Sequence, residues 1–273
     1  MKIRFLLAAL CGVLAASSAA QATDFASPWG GIQEAEVRLV AGHVPGHGDM
    51  LGLQFVMSPG WKVYWRSPGD AGFPPVPEWE GTSGATDMEI RWPLPLRFVF
   101  YGLETYGYED EAILPITFQR EGGAASVKLE LFYAACADIC VPVTTSLALD
   151  LPAGGWPENR HARSIGTALS KVPVQDKDIA SIESVRETLN AGRAVVEIRI
   201  QTDRPVVRPD LIVEGPKDLL FERPACTTAG TTTSCAIAVA ENRGGGSLAG
   251  KDLVLTLSGE GFAAEMPASV ARP

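Results

Sequence analysis

Cys136 and Cys140 are separated by three residues in the sequence Tyr-Ala-Ala-Cys-Ala-Asp-Ile-Cys-Val-Pro. A disulfide between them would close a very short loop, which constrains the unfolded chain little and stabilises a fold poorly. Small rings also strain the bridge, and a strained bridge is easier to reduce. Close thiols can bind metal, but a structural zinc site needs four ligands and no second Cys/His pair stands nearby. The spacing favours a redox pair and leaves a structural bridge and a metal site as open alternatives.

A second pair, Cys226 and Cys235, flanks the polar, glycine-containing stretch 227–234. This stretch is typical of a hairpin loop, and a bond across it would join the two arms of the hairpin. No aromatic cluster or proline accompanies this pair. We therefore expect Cys226 and Cys235 to form a structural disulfide.

The first residues have the pattern of a secretory signal peptide. Lys2 and Arg4 precede an apolar run, and Ala20-Gln21-Ala22 is a typical cleavage site. The apolar run is shorter than the roughly 20 residues that cross a bilayer, and no later segment is long and apolar enough to do so. The pattern predicts cleavage after Ala22, with residues 1–22 removed, and a mature chain without a membrane span in a compartment where disulfides persist.

Charge and motifs exclude several classes of function. The 273 residues include 32 acidic and 23 basic ones, for a net charge of −9, whereas nucleic acid and anionic membranes require clustered Lys and Arg. There is no GxSxG, HExxH, P-loop or dinucleotide-binding glycine motif. The sequence therefore predicts no nucleic-acid partner and no cofactor.

Alternation of apolar and polar residues, which is typical of half-buried strands, recurs along the chain. Examples are Leu51 to Met57, Val127 to Tyr133 and Leu253 to Leu257. Pro152 to Gly155 interrupts this pattern, and the residues from Pro157 to about Lys171 are typical of one short helix.

Short strands with frequent turn signals predict an all-β protein built from immunoglobulin-like sandwiches. The expected organisation is a β-domain at 24–152, a helical linker at 153–177 and a second β-domain at 178–272.

Three stretches resemble one known family: 60–72 (GWKVYWRSPGDAG), 98–102 (FVFYG) with 106–109 (YGYE), and 136–142. They resemble the periplasmic N-terminal domain of the thiol:disulfide interchange protein DsbD, and more closely the related ScsB proteins of copper-sensitivity suppression systems. The resemblance covers about residues 28–152. The second domain resembles, more loosely, the second immunoglobulin-like domain of ScsB-type periplasmic regions.

The resemblance implies a periplasmic protein that relays electrons by dithiol–disulfide exchange, a protein-disulfide reductase type of activity. It implies that Cys140 forms the mixed disulfide with partners and that Cys136 resolves it. The residues in hand resemble neither the membrane part nor the thioredoxin-like module of the family. The expected partners are therefore thioredoxin-like periplasmic proteins or a separate membrane reductase.

The family also implies a cap loop whose aromatic residue shields the cysteines, and Phe100 matches that position. Tyr101, Tyr64 and Trp65 could add apolar cover, under which a thiol stays protonated. Phe100 and Tyr101 follow two prolines and precede a glycine, a pattern typical of a loop. DsbD has acidic residues just before the cap aromatic, where this chain has Phe98 and Val99, so no acid–base role is carried over from them.

One competing hypothesis concerns the stretch that contains His43, His47 and Met50. Imidazole and thioether groups are ligands that copper accepts. The chain would then be a non-catalytic periplasmic binding or assembly module with two structural disulfides. Because Pro45 and Gly46 favour a plain hairpin turn here, the sequence predicts no metal site and keeps these residues as weak candidates.

Overall fold

A computed structural model of the chain describes residues 24–100 and 103–271. The predicted signal peptide lies outside these residues. Among the described residues, no helix is long and apolar enough to cross a membrane.

The first β-domain consists of two antiparallel sheets. The first sheet has the strand order β1-β2-β3-β9-β6; the second has the order β11-β10-β4-β8-β7, with β5 paired to β10. The strands are β1 (Gly30–Ile32), β2 (Ala35–Val44), β3 (Gly48–Met57), β4 (Lys62–Gly69), β5 (Val76–Glu78), β6 (Ala85–Ile90), β7 (Leu96–Phe100), β8 (Leu103–Glu109), β9 (Glu111–Arg120), β10 (Ala125–Cys136) and β11 (Cys140–Leu151).

Side chains from both sheets fill the core between them. Phe55 of β3 meets Tyr133 of β10 edge to face, with ring centroids 5.3 Å apart, and the Tyr133 hydroxyl donates to the carbonyl of Ala35. Burying one large apolar side chain of this kind contributes about 1.5–3 kcal/mol. These contacts fix β10, which carries the first cysteine at its end.

The helix α1 (Arg160–Leu169) follows the first domain and packs on the outer face of its first sheet. Asn159 caps it by accepting from the backbone N–H of Ala162 at 2.8 Å and donating to the carbonyl of Ala41 at 3.0 Å. A Cβ on Gly42 would lie 2.6 Å from the Asn159 side-chain oxygen, so this approach requires glycine.

The second β-domain also has two groups of paired strands. The first group has the strand order β12-β13-β17-β15, and β16 also pairs with β17. The second group is the three-stranded sheet β14-β18-β19. The strands are β12 (Ala180–Asn190), β13 (Arg193–Thr202), β14 (Asp210–Glu214), β15 (Leu219–Phe221), β16 (Ala225–Ala229), β17 (Thr232–Asn242), β18 (Asp252–Gly259) and β19 (Phe262–Ser269). Their inner side chains form a separate core.

The predicted all-β, immunoglobulin-like fold with one intervening helix is confirmed. The helix is shorter than the predicted stretch from Pro157 to Lys171 because Asn159 caps its start. The stretch 227–234 is not a loop. Its threonines extend β16 and β17 to a tight turn at Gly230, since β-branched residues favour strands.

Candidate functional site

The Cys136–Cys140 disulfide closes the hairpin between β10 and β11. The two residues are directly opposite in the strand register, with Cα atoms 4.1 Å apart, and the N–H of Ala137 donates to the carbonyl of Ile139 at 2.9 Å. Pro142 is tolerated just beyond because β11 is the edge strand of its sheet. The sandwich therefore holds the disulfide at the end of a long, well-paired hairpin.

The two cysteines differ in exposure. Cys136 is 1% exposed and packs with Tyr64 and Ala134, whereas Cys140 is exposed. A thiolate must approach the sulfur that it attacks, so access favours reaction at Cys140.

Among the residues that the structure describes, Tyr64 is an aromatic residue in contact with the disulfide. Its hydroxyl lies 3.6 Å from Sγ of Cys140, and its side chain is 1% exposed. Burial raises the pKa of Tyr64, which keeps the hydroxyl protonated and able to donate to the sulfur. Gly72 has φ of +105°, and a Cβ there would lie 2.4 Å from the Tyr64 ring, so only glycine lets this loop cover the ring.

Trp65 does not shield the disulfide, which corrects the prediction for this residue. Successive side chains of a strand point to opposite faces, and β4 directs Tyr64 toward Cys136 and Trp65 into the main core. Trp65 is 0% exposed and meets the ring of Tyr106 edge to face.

Lys62 is a site residue that the sequence reasoning missed. It lies opposite Cys136 in the β4–β10 register, and its Nζ lies 4.4 Å from the ring centroid of Phe98 in β7. Its position two residues before Tyr64 in a strand places both side chains on one face, which was the signal available in the sequence.

The predicted cap segment belongs to a hairpin. Phe100 ends β7 and is paired with Leu103 of β8, so the chain up to Phe100 is a strand and not an irregular loop. Tyr101 and the side chain of Phe100 lie outside what the structure describes, and their shielding role stays a prediction. Val99, at 71%, and Leu103, at 43%, are exposed apolar residues near the end of this hairpin.

The second disulfide, Cys226–Cys235, joins opposite residues of β16 and β17. Cys235 is 4% exposed and belongs to the core of the second domain. Beside it, the hydroxyl groups of Thr228 and Thr233 are hydrogen-bonded at 3.0 Å. The two predicted cysteine pairings are thus both present in the structure.

The weak metal candidates are not brought together. His43 is hydrogen-bonded to Asp49 at 2.9 Å, His47 is exposed at the turn, and Met50 is 2% exposed and packs against α1. The register pairs His43 with Asp49 and Met50 with Gly42, so the His43 and Met50 side chains leave opposite faces of the hairpin. Among residues 24–100 and 103–271, no group of three or more His, Cys, Asp or Glu side chains could hold a metal ion.

Comparison with known proteins gives matches for both halves of the chain. Residues 171–273 match the model of a domain family of unknown function, DUF8393. The crystal structure of the N-terminal periplasmic domain of ScsB from Proteus mirabilis is similar in fold. Its TM-score is 0.72 at 23% sequence identity, and the match covers 92% of this chain and 100% of that one. No curated protein matches the chain.

The family resemblance of the first domain is confirmed. Residues 32–152 match the model described as thiol:disulfide interchange protein DsbD, N-terminal, and this region contains both Tyr64 and the Cys136–Cys140 hairpin. The first domain of this chain therefore belongs to the DsbD N-terminal domain family.

Proposed function

We propose that the chain is a periplasmic thiol–disulfide exchange protein that relays electrons through Cys136 and Cys140. The observation that carries this proposal is the unequal exposure of the two sulfurs, with Cys140 open to a partner and Cys136 buried behind it. Export through the predicted signal peptide, cleaved after Ala22, would place the pair where disulfides persist.

Reduction of the pair takes two exchange steps. A partner thiolate attacks Sγ of Cys140, the Cys136–Cys140 bond breaks, and Cys136 leaves as a thiolate that takes up a proton. The second partner thiolate then attacks the partner sulfur of the mixed disulfide and releases Cys140, which is protonated in turn. The partner becomes a disulfide and this chain a dithiol, with two electrons and two protons transferred. The reverse sequence passes the electrons to a second partner.

Tyr64 assists the step at Cys140. When Cys140 is released as a thiolate, a hydroxyl 3.6 Å away can donate a hydrogen bond to the charged sulfur. Because burial keeps this hydroxyl protonated, its donation does not depend on pH in the neutral range.

The proposed partners are thioredoxin-like periplasmic proteins or a separate membrane reductase that present a reactive thiol. Ile139, between the cysteines, is 66% exposed. An exposed apolar side chain beside a reactive sulfur suits transient contact with a protein surface.

Partner trapping tests the proposal. Cys136→Ser removes the resolving sulfur, so Cys140 should accumulate mixed disulfides with periplasmic proteins, visible as thiol-sensitive adducts on non-reducing gels. Cys140→Ser is the matched control and should trap far less, because Cys136 is buried. Equal trapping by both variants, or none by either, would contradict the proposal.

A further inference from the structure

Four neighbouring strands of the second sheet align one row of chemically active residues. In the strand registers, Glu109 of β8 lies opposite Lys62 of β4. Lys62 in turn lies opposite Cys136 of β10, which is bonded to Cys140 of β11. Directly opposite residues of antiparallel strands have their side chains on one face, with Cβ atoms about 4.5–5.5 Å apart. The row therefore places the Lys62 side chain next to the buried cysteine, with the carboxylate of Glu109 on its far side.

The packing of neighbouring residues shows which face of the sheet this row occupies. Val63 and Ala135, the other pair in the β4–β10 register, are buried in the main core between the sheets. Cys136 belongs instead to a small separate cluster with Tyr64. Because side chains alternate along a strand, Lys62 lies on the same outer face as Cys136 and Tyr64 and not in the core.

The surroundings of Lys62 favour its charged form. The residue is half-buried, and its Nζ lies 4.4 Å from the ring centroid of Phe98. An aromatic ring attracts an ammonium group as a cation, so this contact stabilises the positive charge. Partial burial also reduces the screening that salt and water give to a fully exposed charge. A positive charge is thus held on the face of the sheet that carries the buried sulfur.

The other titratable groups around this sulfur do not supply a positive charge. Burial raises the pKa of Tyr64, so its hydroxyl stays neutral. Asp138 in the turn and Glu109 beyond Lys62 are exposed carboxylates, and their charge opposes a second anion nearby. Asp70, in the loop that follows β4, accepts from a backbone N–H of β8 at 2.9 Å. Lys62 is the cation that the strand registers bring next to the buried cysteine.

We propose that Lys62 stabilises the thiolate of Cys136 when this sulfur leaves during exchange. The inference rests on the proposed function, since it concerns the leaving group of the same reaction. A partner thiolate attacks Sγ of Cys140, the S–S bond breaks, and the bonding electron pair remains on Sγ of Cys136. Because Cys136 is 1% exposed, water solvates this anion poorly, and the ammonium charge of Lys62 replaces part of that solvation. Lys62 keeps its proton in this step, and the thiolate is protonated afterwards from solvent.

The test measures the ionisation of Cys136 directly. Cys140→Ser leaves Cys136 as the free thiol of the mature chain, and a pH titration of its thiolate absorbance in the ultraviolet gives the pH of half-ionisation. Lys62→Met keeps an apolar stem and removes the charge, so this midpoint should rise by about one pH unit. In the chain with both cysteines, the same change should slow reduction by dithiothreitol about threefold. Lys62→Arg, which keeps the charge, should restore most of both values.

Lys128→Met is the matched control. Lys128 is an exposed lysine near the start of β10, on the same face as Cys136 at the end of that strand, and its loss should change neither value. Glu109→Gln removes the carboxylate on the far side of Lys62 and should lower the midpoint. This second variant keeps the inference testable if Lys62→Met does not fold.

Three results would overturn the inference. They are an unchanged midpoint in Lys62→Met even where reduction slows, an equal rise in Lys128→Met, and a midpoint that does not fall in Glu109→Gln. The titration requires no partner protein, whereas trapping through Cys136→Ser tests the exchange function itself. Failure of one proposal is therefore distinguishable from failure of the other.

Discussion

The two disulfides of this chain have the same local geometry and different surroundings. Each joins directly opposite residues of an antiparallel hairpin with Cα atoms 4.1 Å apart, and in each one cysteine is buried. Cys136–Cys140 lies at the turn of its hairpin, with the exposed Cys140 beside a tyrosine hydroxyl. Cys226–Cys235 lies three residue pairs away from the turn of its hairpin, and Cys226 is half-buried and Cys235 buried. The two disulfides share the same cross-strand backbone geometry and differ in how exposed their sulfur atoms are to solvent.

The largest expected difference is in the rate of reduction. Exposed Cys140 reacts without a conformational change, whereas reduction of Cys226–Cys235 requires opening of β16 from the sheet. Local opening of a paired strand costs a few kcal/mol, so we expect Cys136–Cys140 to be reduced on the order of a hundredfold faster. Alkylation and mass spectrometry of the native protein in a thiol buffer series measure both rates. If both disulfides are reduced at equal rates, or if neither is reduced until the protein unfolds, the predicted difference in access to the two disulfides is wrong.

A smaller difference is expected in how much each disulfide stabilises the fold. Here Cys226–Cys235, the slower disulfide to be reduced, should contribute more. Cys226→Ser/Cys235→Ser should lower the free energy of unfolding by about 2–3 kcal/mol and leave exchange at Cys136–Cys140 unchanged. Cys136→Ser/Cys140→Ser, which opens a shorter loop, should cost about 0.7 kcal/mol less. Urea unfolding of both double variants makes the comparison, and a larger loss from the Cys136/Cys140 variant would reverse our ranking.

The smallest expected effect is that of Tyr64, whose hydroxyl lies beside the first disulfide. Tyr64→Phe should slow exchange at Cys140 about fivefold, because one hydrogen bond to the sulfur is worth about 1 kcal/mol. Since burial raises the pKa of Tyr64, the ratio of wild-type to variant rates should stay constant across the neutral pH range.

The matched control for this prediction is Tyr108→Phe. It removes a buried hydroxyl that donates to the carbonyl of Pro93 in the same domain. It should leave the exchange rate unchanged, and equal slowing by both variants would show that the Tyr64 effect is only structural.

Much of the fold follows from local patterns in the sequence. The alternation from Leu51 to Met57 and from Val127 to Tyr133 predicts β3 and β10, because a half-buried strand requires a period of two. The cysteine pairings follow from short separations. The resemblance of residues 60–72 and 136–142 to the DsbD family identified Tyr64 and the cysteine pair together.

Local patterns do not determine contacts across the sheets. Tyr64 and Trp65 are adjacent aromatic residues, and only the position of β10 beside β4 decides which of them faces the sulfur. The sequence alone could not show that the weak metal candidates His43 and Met50 are separated. Strand pairing directs the Met50 side chain to the helix, away from His43. Arg97 meets Asp210 more than a hundred positions away, and no local signal marks such a pair.

Helix α1 determines where the first domain can be cut. The family match ends at residue 152, yet the outer face of the first sheet carries Val40, Met50 and Ile113, each buried under Ile165 and its neighbours on the helix. A fragment that stops at the end of the match would expose this apolar face to water and invite self-association. The smallest fragment for structural or binding work should therefore extend to about residue 171. Aggregation of a 24–152 fragment would not test the exchange function proposed for Cys136–Cys140.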